Sequence, residues 1–461
     1  MTPNSPLDRA AAVLLALLVL LTGLVEWRVP AAETPRALVA AAVVVLLAPR
    51  IRASRLAFVA VGLGLTLWTG AVSDNWAAVL ARGLASAGFI GAFFCALATL
   101  RSIAQSSPAI ADAGRYLASQ PPGRRYLALS LGGHMFALLL SYGAIALLGG
   151  LATSAAAADS DPVIRGHRRR RMLLAIQRGF VSTLPWSPLA FSMAITTVLI
   201  PGASWRDAAL PGMVSALILA GLGWALDTLL KPRLAVRPPP RPIEGSFRRL
   251  TPLFVLLALL GVSVGGLHLL TEVRIVGVVL LVVPLISLVW ALLQYRGAIA
   301  APARQFLFTD LPGYRGEIVL LMMAGYIGTL GAPLLAPIMA GLGLDLGVMP
   351  PWLLLVSLVW IVPLLGQLGM NPILGVTLIA PLIPEAASLG VTPAALVTAI
   401  VAGWAIGGIC SPFTATTILT GSFGGVSPLH VGLRWNGLFV ITLGLALSLW
   451  TLLYAFVLAP A

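Results

Sequence analysis

An apolar run that is broken by prolines narrows the choice of fold more than anything else in this chain. Residues 366–417, GQLGMNPILGVTLIAPLIPEAASLGVTPAALVTAIVAGWAIGGICSPFTATT, carry five prolines, repeated glycines and an Asn-Pro pair. A helix that only spans lipid has no use for these. Proline removes a backbone donor and clashes with the preceding turn, and irregular backbone at membrane depth persists only where it is buried in protein or lines a cavity. The pattern predicts a turn at 367–372 between two half-helices and a break within 407–417 of the next span. Paired interruptions of this kind mark the binding region of a secondary transporter.

The first half of the chain holds a second copy. Residues 187–221, beginning Ser-Pro-Leu, align with residues 371–403, beginning Asn-Pro-Ile. Pro188, Pro201 and Pro211 then match Pro372, Pro384 and Pro393, with spacings equal to within one residue. Repeats built around broken helices are a common plan for secondary transporters.

Composition fixes the class. Of 461 residues, 59% are hydrophobic and 10% are charged, and the mean hydropathy is +0.99. Soluble domains carry roughly 25% charged residues. The net charge of +14 falls in short loops between apolar runs, where the positive-inside rule accounts for it without nucleic acid. Cys95 and Cys410 both lie in apolar segments, which suits neither a disulfide nor a zinc site. The apolar run near the N-terminus lacks a strong basic region before it and reads as a first span rather than a cleaved signal.

With about 20 apolar residues per span, the expected fold is all-α and polytopic, with about 11 transmembrane helices and two re-entrant hairpins in an inverted repeat. Spans are expected at 11–27, 36–49, 56–72, 77–100, 126–150, 208–230, 251–270, 274–294, 316–342, 393–420 and 436–458, and hairpins at 172–200 and 351–388. The expected organisation is N-terminal scaffold helices (1–125), a first hairpin repeat (126–230), a basic Pro-rich linker (231–250), second-half scaffold helices (251–315) and a second hairpin repeat (316–461). Three loops rich in proline or arginine are read at 101–125, 165–171 and 231–249. The last two are separated by an odd number of crossings, so either a span is miscounted or one of them is external. The denser cluster, 165–171, is assigned to the cytoplasm.

The chemistry rests on sparse polar groups, because no metal-ligand cluster, nucleophile elbow or phosphate-binding loop is present. Half-helix N-termini offer free N–H groups to an anion, and unwound carbonyls suit a cation. The expected substrate-binding residues are Ser182, Thr183, Ser187, Asn371, Thr377, Ser411 and Thr414. The expected cation-binding residues are Gly369, Asn371, Gly408 and Thr416. Among ionisable residues, His134, Asp227, Glu385 and Arg178 are of interest. Asp227 reads as an interfacial partner of Lys231. Arg178 reads either as a carboxylate ligand or as a side chain reaching to the interface.

The segment NPILGVTLIAPLIPEAASLGVTPAALVTAIVAGWAIGGICSPF resembles the C-terminal hairpin and following helix of the ion transporter superfamily. It looks most like the large membrane subunit of TRAP dicarboxylate transporters and is similar in plan to the divalent anion:sodium symporters. The Ser-Asn-Thr tip signature of the symporters is absent, replaced by Ser182-Thr183-Leu184-Pro185 and Met370-Asn371-Pro372. The resemblance implies a homodimer in the bacterial inner membrane and an elevator motion. A literal TRAP likeness further implies a small membrane subunit and a periplasmic binding protein. The expected function is transport of a small organic anion, coupled to Na⁺ or H⁺, with no enzymatic activity. The alternatives are a membrane-embedded enzyme acting on lipid-linked substrates and an efflux permease for a hydrophobic substrate.

Overall fold

Capping side chains start two of the helices where the sequence changes character. Asp161 accepts hydrogen bonds from the Val163 and Ile164 N–H groups, with Pro162 as the first helical residue. Ser204 caps the Asp207 N–H in the same way. A carboxylate or hydroxyl at this position satisfies donors that the first turn leaves free, and proline there has no donor to lose.

The computed structural model describes residues 6–231, 245–341 and 346–460. The helices in order are α1 (Pro6–Glu26), α2 (Glu33–Leu47), α3 (Ala53–Val72), α4 (Trp76–Gln105), α5 (Pro108–Ala118), α6 (Pro122–Leu140), α7 (Gly143–Ala157), α8 (Pro162–Val181), α9 (Phe191–Leu199) and α10 (Trp205–Leu229). There follow α11 (Thr251–Thr271), α12 (Ile275–Gln294), the short α13 (Ala300–Gln305) and α14 (Leu311–Gly313), and α15 (Arg315–Gly341). The chain ends with α16 (Pro351–Gln367), α17 (Pro372–Ile379), α18 (Pro393–Cys410), α19 (Ala415–Gly424) and α20 (Gly437–Leu453). Extended pairing among the described residues is an isolated bridge between Val391 and Pro460. Ten helices among the described residues are long and apolar enough to cross a membrane. The protein is an all-α, multi-pass membrane protein.

Three sequence expectations change. The span expected at 126–150 is two helices, α6 and α7, separated at Ser141, whose φ is +49°. The arginine-rich segment 165–171 is not a loop but lies inside α8, started by the Asp161 cap. The segment 101–125 likewise contains α5. Most of the linker expected at 231–250 falls outside the described residues.

The chain divides into two compact units. The first comprises Met1–Ile103, Leu260–Val348 and Ile373–Pro384. In it α1 packs on α2 and α12, and α3 packs on α15. Arg50 pairs with Asp8 at 2.5 Å, and Thr66 shares a hydrogen bond with Tyr326 at 2.7 Å.

The second unit comprises Ala104–Leu259, Met349–Pro372 and Glu385–Ala461. Its centre is α18, buried from Ala394 to Cys410, against which α8, α9, α10, α16 and α20 pack. Two glycines bring α6 and α8 into backbone contact. A methyl group on Gly179 would meet the Ser130 carbonyl, and one on Gly133 would sit 2.9 Å from the Ile176 oxygen. Such small-residue contacts drive helix association where there is no water to expel.

Candidate functional site

Proline decides where the second unit is interrupted. The first interruption, residues 182–190, separates α8 from α9 and contains Pro185 and Pro188. The second, residues 411–414, separates α18 from α19 at Pro412. A third, residues 368–371, turns α16 into α17, with Gly369 at φ +85°, where a side chain would be strained.

The three meet around the end of α18. A methyl group on Gly408 would lie 3.4 Å from Val181, the last residue of α8, and from Leu184 of the first interruption. The Gln177 Nε2 donates to the Ile409 carbonyl at 3.4 Å. Ser411 Oγ donates to the Gly366 carbonyl at 2.6 Å, and Gln367 Nε2 donates to Cys410 Sγ at 3.3 Å. Gly369 faces the Phe413 ring, 3.7 Å from a methyl built there.

Most of the expected site residues gather here, engaged with backbone. Ser182, Thr183 and Ser187 are buried in the first interruption. Thr183 Oγ1 donates to the Phe180 carbonyl at 2.8 Å, and Ser187 Oγ accepts from the Leu189 N–H at 3.2 Å. Ser182 Oγ donates to the Gly179 carbonyl at 2.7 Å and lies 2.6 Å from His134 Nδ1, whose ring stacks on Trp186.

At the second interruption, Thr414 Oγ1 lies 2.9 Å from Thr416 Oγ1 and 3.1 Å from Thr417 Oγ1, and donates to the Ser411 carbonyl. Thr417 Oγ1 also donates to Ser411, at 2.6 Å, and Thr416 Oγ1 donates to the Gly408 carbonyl. The side-chain and carbonyl groups of this knot are oxygens, the ligand type that hard cations prefer. Among the described residues, no group of three His, Cys, Asp or Glu stands close enough to hold a metal.

Asn371, half-buried, directly precedes α17 at the turn. Thr377 belongs to the first unit, where its hydroxyl donates to the Ile373 carbonyl at 2.8 Å and the Ala324 carbonyl at 3.2 Å. It fastens α17 to α15.

A buried amide chain completes the site. Arg178 Nε donates to Asn436 Oδ1 at 3.1 Å, and Arg178 Nη1 donates to the Tyr126 hydroxyl at 3.2 Å. Asn436 Nδ2 donates to the Val431 carbonyl and to Gln177 Oε1, each at 3.1 Å. The orientations are forced, because Val431 and Ile409 present only acceptors, so both amide nitrogens must face them. Arg178 sits 4.0 Å above the Phe439 ring centroid and is 5% exposed. It does not reach to the interface. Asp227 pairs with Arg171 and not with Lys231, accepting from Nε at 2.8 Å and from Nη2 at 2.6 Å. Gln177, Asn436 and Tyr126 were not expected from sequence. Their partners lie up to 259 positions away, although an amide or arginine inside an apolar run is itself a signal.

Superposed on solved structures, the chain matches the crystal structure of the Alcanivorax borkumensis YdaH transporter. The TM-score is 0.60 with 16% identity, over 87% of this chain and 98% of that one. The fold is shared with a solved transporter. Neisseria gonorrhoeae MtrF, described among a class of antimetabolite efflux pumps, superposes with a TM-score of 0.49 and 13% identity, over 90% of this chain and 97% of that one. No protein-family model and no curated protein sequence matches the chain.

Proposed function

We propose that the protein is an ion-coupled secondary transporter that moves a small organic anion across the bacterial inner membrane. The observation that carries this reading is the meeting of three helix interruptions at the end of α18, joined by the Ser411–Gly366 and Gln177–Ile409 hydrogen bonds. Bundles that only need stability have no reason to gather broken helices in one buried place. The YdaH fold supports the reading.

In this reading Ser182, Thr183, Ser187, Asn371, Ser411 and Thr414 border the substrate, and Gly408 and Thr416 supply oxygens to a coupling cation, Na⁺ or H⁺. An elevator-type displacement of the second unit gives alternating access. A homodimer is the expected assembly. If the TRAP likeness is literal, a small membrane subunit and a binding protein co-purify with it.

The test is uptake in proteoliposomes of a panel of radiolabelled carboxylates under imposed Na⁺ or H⁺ gradients, run in both directions, with Asn371→Ala alongside. Gradient-dependent movement that Asn371→Ala abolishes supports the reading. An absence of gradient-dependent movement for every carboxylate, with any co-purifying subunits included, refutes it.

A further inference from the structure

The geometry points to Arg178 and Tyr126 as the anion-binding groups of the second unit, taking a carboxylate of the transported substrate; this deepens the transport reading and rests on it.

A guanidinium has five N–H groups and no acceptor. Arg178 gives one to Asn436 and one to Tyr126. The remaining three have no acceptor among the described residues, although the side chain is 5% exposed. Tyr126, 6% exposed, accepts from Arg178 and has no acceptor for its own O–H among the described residues. Four donors therefore converge in one buried place with nothing to receive them.

Among the described residues no carboxylate pairs with the charge of Arg178. Asp227 is engaged through both oxygens by Arg171, and Asp159 pairs with Arg168. Arg170, on the same helix, lies over Trp435 at 5.7 Å and adds positive potential. The Phe439 face and the C-terminal end of α8 offset part of the cost of the buried charge. Neither accepts a hydrogen bond from the free N–H groups. Burying a charge with unused donors is expensive unless a partner arrives.

The backbone beside these donors is bare. Gly223 on α10 faces them, and a methyl group there would sit 2.7 Å from the Tyr126 oxygen and 3.5 Å from Arg178 Cδ. A planar carboxylate suits the fork of a guanidinium, with Tyr126 O–H as a third donor. Arg178 lies one turn before the first interruption, and its neighbour Gln177 reaches the Ile409 carbonyl near the second. Occupancy by an anion would thus be felt at both breaks through one rigid chain of amides.

The test is binding to the purified full-length protein in detergent, read by titration calorimetry and thermal shift. The probes are acetate, succinate, citrate and benzoate, with succinamide and benzamide as uncharged controls and sodium chloride as a competing anion. The wild type is expected to bind at least one carboxylate and neither amide. Arg178→Gln keeps a donor for Asn436, and should weaken carboxylate binding by on the order of tenfold or more, the loss of one charged hydrogen-bond pair. Its stability without ligand should be unchanged or raised, since an uncompensated charge has gone. Tyr126→Phe should weaken binding by about threefold to tenfold and decides the matter if Arg178→Gln does not fold. Carboxylate binding that is unchanged in both variants overturns the inference and leaves the transport reading standing. Chloride binding as tightly as every carboxylate, at the same site, also overturns it. A wild type that binds no carboxylate overturns the transport reading together with it.

Discussion

Replacing Asn436 by leucine tests whether the amide chain holds the second unit together. The two side chains share one branched shape, with leucine the larger, so the change is chiefly one of hydrogen bonding. It leaves two buried groups without partners, the Arg178 Nε–H and Gln177 Oε1, while the Val431 carbonyl keeps the backbone N–H of residue 436. Orphaning a neutral group costs about 1 kcal/mol or more, and a charged donor about 2 kcal/mol. Hydrogen bonds between membrane helices measure lower, about 0.6 kcal/mol on average. A net loss of about 2 kcal/mol lies between these limits, and for a domain of this size it lowers the unfolding temperature by roughly 4–8 °C.

The assay is thermal unfolding in detergent followed by intrinsic tryptophan fluorescence, with Arg178→Met and the double variant completing the cycle. Removing both partners relieves the orphaned charge, so the double variant should regain about 1–2 kcal/mol relative to the sum of the singles. An Asn436→Leu protein that unfolds within about 1 °C of the wild type, or a cycle that is strictly additive, would refute the reasoning.

Three further outcomes follow from packing and charge. Gly179→Ala presses a methyl group onto the Ser130 carbonyl and should destabilise by about 1–3 kcal/mol. Gly221→Ala on α10 meets nothing within 4 Å and should be neutral or gain up to about 1 kcal/mol of helix propensity, both read by the same thermal unfolding. Asp227→Asn breaks the two-point contact with Arg171 and should cost about 1–2 kcal/mol. Because the Arg171 side chain is 35% exposed, the gap from wild type should narrow as sodium chloride is raised.

Much of the architecture was legible in the prolines. Pro185 and Pro188 mark the first interruption, and Pro412 the second, because each removes a donor that a continuous helix needs. The Ser141 break was not legible, since Leu-Ser-Tyr-Gly contains no residue that forbids a helix and the apolar run continues through it. The arginines at 165–171 suggested a loop by charge alone. The Asp161-Pro162 pair that starts α8 four residues earlier was the better guide. The hydroxyls read from the sequence lie near the breaks, where most satisfy the carbonyls that the breaks free, and residue type alone does not separate that from ligand binding. The amide chain was out of reach because its members are brought together only by the tertiary fold. Arg178 alone was visible, as a charge in an apolar segment.

The position of Arg178 in the chain also bears on how the protein is made. Its partner Asn436 is 258 residues further along, so at about 5–20 residues per second roughly 13–50 seconds pass before the ribosome supplies it. Throughout that interval α8 carries the arginines of 165–171, Gln177 and Arg178, too polar a helix to enter lipid unaided. During it α8 has α6 and α7 to pack against and Tyr126 for Arg178, but not Asn436. A chain that terminates before residue 436 would leave the Arg178 Nε–H and Gln177 Oε1 without that amide.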